Sequence, residues 1–134
     1  MEKVFEIYIK TTPERLWEAI TDWDIRRKYT FGSPPPGESK IVESDPPHRH
    51  VESFIAEWNE AVKAEGETRI TWEIEPVATS CRLRVTHDHL REGANEELYG
   101  GWPMIVSGLK TLLETGELLD TPGSLMYAKY AGEA

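Results

Sequence analysis

Two short histidine pairs bring together the side chains best able to do chemistry in this chain: His48-Arg49-His50 and His87-Asp88-His89. In an extended strand, residues i and i+2 share a face, so either pair could offer two imidazole nitrogens to one metal, with Glu52 as a third ligand for the first. Spacing of this kind is weak evidence for a metal site. The simpler reading leaves His48 solvated in a turn and His89 solvated at a strand end, with His87 buried and hydrogen-bonded. We therefore expect neither a metal nor a cofactor. His50 and Glu52 also share a strand face with Phe54. Turned inward, they would place an imidazole and a carboxylate in the interior, where burial shifts pKa values and a general base becomes conceivable. Val51 and Ile55 claim the opposite face, and a slip of one residue exchanges the two sets, so both orientations stand open. Ser107 and Cys81 have no visible activating partner, and G-x-S-x-G, G-x-G-x-x-G, P-loop and H-E-x-x-H motifs are absent. No catalytic residue is assigned.

The aromatic residues suggest binding rather than catalysis. Tyr29, Phe54, Trp58, Trp72 and Trp102 supply broad apolar walls that suit a flat ligand, and they suit an ordinary packed core equally well. The elements around them decide where they point. Phe5, Ile7 and Ile9 alternate within KVFEIYIK and predict a strand near a sheet edge. Thr12 followed by Pro13 predicts the start of a short helix ending near Thr21 or Asp22. A second short helix follows, with Ile25 and Tyr29 inward and Arg26, Arg27 and Lys28 toward water. Three consecutive prolines and two glycines make residues 31–40 a loop, expected to be flexible or incomplete over 32–41. IVES predicts a short strand, DPPHRH a turn, and HVESFIAEW a strand reaching Trp58. Residues 59–67 read as a loop or hairpin connection.

RITWEIEPV alternates most clearly: Ile70, Trp72 and Ile74 face one way, with Pro76 opening a turn. Leu83, Val85 and His87 then share a face of the next strand, giving an antiparallel hairpin with one wet side. Finally Trp102, Ile105, Val106, Leu109, Leu112 and Leu113 repeat at helical spacing, with Gly116 as the terminator. Gly108 interrupts that helix. It either lets the backbone approach a bulky side chain such as Trp72 or widens a pocket; glycine there costs about 1 kcal/mol against alanine. No period is evident in the last residues, from Asp120 onward.

The 134 residues predict one domain over 1–134, and 39% hydrophobic with 29% charged residues is ordinary for a soluble protein. A net charge of −9 argues against nucleic acid and anionic membrane surfaces. No apolar run approaches membrane-spanning length, and MEKVFEIYIK lacks the apolar stretch of a signal peptide. One cysteine excludes an internal disulfide and fits a cytoplasmic setting.

TPERLWEAITD (12–22), YTFG (29–32), VESDPPHR (42–49), ITWEIEP (70–76), LRVTHD (83–88) and above all GGWPMIVSGLKTLLETG (100–116) resemble, in order, the START-like or SRPBCC superfamily. Within it the resemblance is to the AHSA-type branch, named after activators of the heat-shock-protein ATPase. It implies an α+β helix-grip fold: a curved antiparallel sheet around a long C-terminal helix, two short N-terminal helices, and a cavity between sheet and helix. Members bind small apolar or amphipathic molecules, and some relatives are cyclases or hydrolases. Two departures stand out. The segment between the FG and DPP motifs is short, so either the sheet is smaller here or residues are missing between Gly32 and Ile41. The chaperone activators also carry an additional domain, for which these residues leave no room.

The reading that follows is a small hydrophobic-ligand-binding module, with a stress-related role as one setting for it. Trp72, His87, Trp102, Ile105 and Leu109 would line its pocket, Tyr29 and Phe54 would stand near the mouth, and Glu52 or His87 would anchor a polar group. The alternatives are a cyclase- or hydrolase-like enzyme using His87 or Glu52, and a chaperone-associated protein-binding module. The expected partner is a small apolar or amphipathic molecule, without nucleic acid or membrane insertion, in a monomer or homodimer.

Overall fold

The computed structural model describes residues 1–30 and 40–120. The proline-rich loop and the residues after 120 therefore lie outside the described residues, apart from Lys40 and Ile41. The helix starts follow their capping side chains. α1 (Pro13–Thr21) begins where Thr12 Oγ1 accepts from Arg15 N at 3.2 Å, with Pro13 as its first residue. α2 (Trp23–Tyr29) begins where the Asp22 carboxylate accepts from Asp24 N at 2.9 Å. Each cap satisfies an amide that the helix cannot.

Five antiparallel strands form one open sheet. They are β1 (Lys3–Ile9), β2 (Ile41–Asp45), β3 (Arg49–Ile55), β4 (Glu67–Val77) and β5 (Ser80–Asp88), in the spatial order β1-β5-β4-β3-β2. The register aligns rows across the concave face: Glu52 beside Ile70 and His87, and His50 beside Trp72, Val85 and Phe5. Thr68, Ile70, Trp72 and Ile74 turn inward from β4 and are buried. The outer face carries Glu6, Arg84, Glu73 and Arg49, linked by exposed ion pairs. Such pairs contribute little to stability. The alternation that predicted the central hairpin is thus realised on both faces.

Three boundaries differ from the sequence reading. β3 stops at Ile55 rather than Trp58. Residues Glu60–Lys63 form a one-turn helix, α3, because Asn59 accepts from Val62 N at 3.0 Å. β4 continues through Pro76 to Val77. Ile74 N donates toward the β3 side, to His48 O at 2.8 Å, so the same parity puts the absent N–H of Pro76 beyond the end of β3.

α4 (Trp102–Thr115) closes the concave side, packing on β1, α1 and α2. Its buried stripe is Trp102, Val106, Leu109 and Leu113, with Gly108 among them. Each large apolar side chain so buried contributes about 1.5–3 kcal/mol. Lys110 Nζ donates to Tyr8 O at 2.7 Å and Lys10 N donates to Glu114 at 2.8 Å, tying the far end of α4 to β1. Gly116 ends the helix at φ +78° with its N–H on Leu112 O at 2.8 Å. The fold is α+β, as the residue pattern predicts, and of the helix-grip type that the family resemblance implies.

A Cβ at Gly116 would meet no other atom within 4 Å, so only the left-handed backbone penalises a side chain there. Gly116→Ala is expected to cost about 1 kcal/mol in urea unfolding. An unchanged midpoint would contradict that assignment.

Candidate functional site

The register leaves one orientation for β3: His50 and Glu52 face inward and are buried. A carboxylate in that position needs donors, and the fold supplies three. Trp72 Nε1 donates to Glu52 Oε1 at 2.7 Å. Arg26 reaches down from α2 with Nη2 at 2.8 Å from Oε1 and Nη1 at 3.1 Å from Oε2. Its guanidinium also lies over the Trp72 ring, 5.1 Å from the centroid. Burial alone would lower the Arg26 pKa, but the charge and hydrogen bonds of Glu52 raise it above its ordinary value. Arg26 therefore corrects the sequence reading, which left it in water. The signal was its spacing: Arg26 stands one helical turn before buried Tyr29.

His87 is wholly buried and uses both ring nitrogens. Trp102 Nε1 donates to Nδ1 at 3.1 Å, which fixes the proton on Nε2. Nε2–H then donates to Thr68 Oγ1 at 2.8 Å, and the Thr68 hydroxyl donates to Phe54 O at 3.2 Å. Burial lowers the His87 pKa to about 4. The chain of bonds pins the first residue of α4 to the sheet. Thr68 was missed by sequence reasoning, although its parity with Ile70 and Trp72 marks it as inward.

The structure brings Trp72, Trp102 and Leu109 together in one core, with His87 against Trp102 and with Phe54 and Ile105 at the partly buried margin. Tyr29 lies inside that core rather than near a mouth, its hydroxyl donating to Ala19 O at 2.8 Å. Rings continue outward from it. Trp72 and Trp102 meet edge to face at 5.4 Å, Phe54 and His87 at 5.6 Å, and Phe54 touches Trp58, which is 56% exposed. Two surface hollows, of about 230 Å³ beside α1, α2 and the end of α4 and about 380 Å³ on the outer sheet face, lie away from these residues.

The remaining candidates separate. His48 is exposed while His50 is buried, and His89 turns outward at φ +62°. Among the described residues no three metal-ligating side chains converge. Cys81 is buried with its thiol pKa raised by burial, and Ser107 Oγ donates to Pro103 O at 2.7 Å.

Two outcomes follow from this geometry. Glu52→Ala strands the buried Arg26 charge and should cost about 3 kcal/mol in urea unfolding, whereas Glu6→Ala, at an exposed pair, should cost under about 1 kcal/mol. Equal costs would contradict the network. For His87, an unfolded pKa near 6.5 and a folded one of about 4 mean that the unfolded chain binds the extra proton. Its contribution is intact above pH 6.5 and is lost progressively as pH falls to about 4, by about 3 kcal/mol. His50, also lowered by burial, acts in the same sense. His87→Leu should flatten that part of the stability profile; an unaltered slope would count against it.

No match is found among curated proteins. Solved structures share the fold. One is a protein of Mesorhizobium loti, at 22% identity and TM-score 0.70, covering 88% of this chain and 100% of that one. Another is the Aha1 dimer of Colwellia psychrerythraea, at 20% identity and TM-score 0.70, covering 87% and 98%. A third is an HSP90 activator of Plasmodium falciparum, at 21% identity and TM-score 0.68, covering 85% and 96%. The family described as Activator of Hsp90 ATPase homolog 1-like protein matches residues 27–114, from within α2 through nearly all of α4. On that match, the chain belongs to the Activator of Hsp90 ATPase homolog 1-like family.

Proposed function

We propose that this protein is a cytoplasmic binding module that holds a small apolar or amphipathic molecule between the sheet and α4. The observation that carries the reading is the run of rings from Trp72 and Trp102 through His87 and Phe54 to exposed Trp58. A molecule that parts Phe54 from Trp58 exchanges ring–ring contacts for ring–ligand contacts, so opening the grip loses little. In this reading Trp72, His87, Trp102, Ile105 and Leu109 form the walls, Phe54 the gate, Tyr29 the floor, and Glu52 a polar border. A cyclase- or hydrolase-like role is weaker, because His87 commits both nitrogens and Glu52 accepts from three donors.

One observation favours a second reading, a chaperone-associated protein-binding module. Among the described residues β2 is an edge strand exposed along its whole length, with Ile41 at 69% and Val42 at 48%, and such an edge is a template for pairing. A second copy could use the same edge, giving a homodimer. Co-elution with purified Hsp90 would support this reading.

Thermal melts against a panel of flat aromatic and fatty-acyl molecules test the first reading. A ligand at 100 times its Kd adds about 2.7 kcal/mol, or a Tm rise of roughly 8 °C. Trp58→Ala should weaken that ligand about fivefold, since a well-stacked ring contact is worth roughly 0.5–1.5 kcal/mol, while the tilted 6.3 Å contact of the exposed Trp58 ring with Phe54 is weaker, so the unliganded melt should fall by only about 2 °C. A panel with no shift, or a ligand indifferent to Trp58, would overturn it.

A further inference from the structure

Among the described residues, the concave face satisfies its buried polar groups with one exception. Glu52, Thr68, His87 and the indoles of Trp72 and Trp102 are all hydrogen-bonded. His50 is 4% exposed, and its Nδ1 is buried with no partner. A buried nitrogen left unpaired loses its hydration without a bond in return. Its surroundings are specific. The ring meets Trp17 of α1 edge to face at 5.7 Å, stands directly opposite Trp72 across the β3–β4 pair, and has the Arg26–Glu52 ion pair as its charged neighbourhood.

We infer that His50 is the polar anchor of the binding site, and that the ligand class it selects is a flat apolar molecule bearing a neutral hydroxyl group. This rests on the reading that the concave side takes a small apolar molecule. An uncharged imidazole offers one donor and one acceptor, and a hydroxyl can meet either. Arg26 is already matched by Glu52, so a carboxylate would face Glu52 without a free cation, and an ammonium would face Arg26 without a free anion. The apolar body lies on Trp72 and Trp102, and its hydroxyl points across the sheet to His50.

Calorimetric titration of the full chain with 1-naphthol, 1-methylnaphthalene and 1-naphthoate tests this, because the three share one ring body. The expected result is 1-naphthol binding about tenfold tighter than either of the others, the equivalent of one buried hydrogen bond. His50→Phe keeps the ring against Trp17 and should bring 1-naphthol and 1-methylnaphthalene to equal affinity without lowering the circular dichroism melt. Should that variant fail to fold, the ¹⁵N shift of His50 Nδ1 in the unmodified protein decides: it moves with 1-naphthol and stays with 1-methylnaphthalene. Equal affinities in the unmodified protein, or an unmoved Nδ1, overturn the anchor and leave the binding reading standing. If none of the three probes binds, both fall.

Discussion

A carboxylate buried on the concave side of a sheet must be matched, and the match at Glu52 organises much of this molecule. Arg26 can reach it only if α2 lies over β3, and Trp72 can donate to it only from the neighbouring strand. One ion pair thus fixes the helix pair and the register together. Any slip of β3 by one residue would turn Glu52 to the opposite face of the sheet and Val51 inward, leaving Arg26 buried and alone. Specificity of packing is a better description of what this network provides than raw stability, since buried ion pairs gain little net free energy.

His87 plays the corresponding part for α4. Its tautomer is fixed by the Trp102 indole on one side and by Thr68 on the other. The helix is therefore held at two ends by different chemistry: a buried hydrogen-bond chain at Trp102, and exposed contacts from Lys110 and Glu114 to the β1 edge. Between them the stripe rests on apolar contacts alone, and in the binding reading proposed above these are exchanged for contacts with a guest. The ring run from Trp102 to Trp58 gives such exchange a direction, from surface to core.

Much of this was legible in the residues. The alternation of Ile70, Trp72 and Ile74 located the hairpin, Thr12 with Pro13 located the start of the first short helix, and the 102–113 stripe located α4. Residue-level polarity misled in two places. Arg26 was read as solvated because guanidinium groups usually are, and only the register of a distant strand reveals the carboxylate that draws it inward. Pro76 was read as a turn because a proline breaks central strands, yet β3 ends before the ladder would need its N–H. The inward face of β3 could not be chosen from sequence, since Val51 and Phe54 make opposite claims. The strand pairing with β4 settles it, through Trp72 standing beside His50.

The central claim is that a small apolar molecule enters past Trp58 and settles beneath Trp102. The most direct measurement is a ¹⁵N-indole NMR titration with 1-methylnaphthalene, in which each tryptophan gives its own signal. The account predicts saturable shifts at Trp58 and Trp102, with Trp23 at the start of α2 unmoved. Shifts confined to Trp23, or none at all at ligand saturation of the solution, would contradict it.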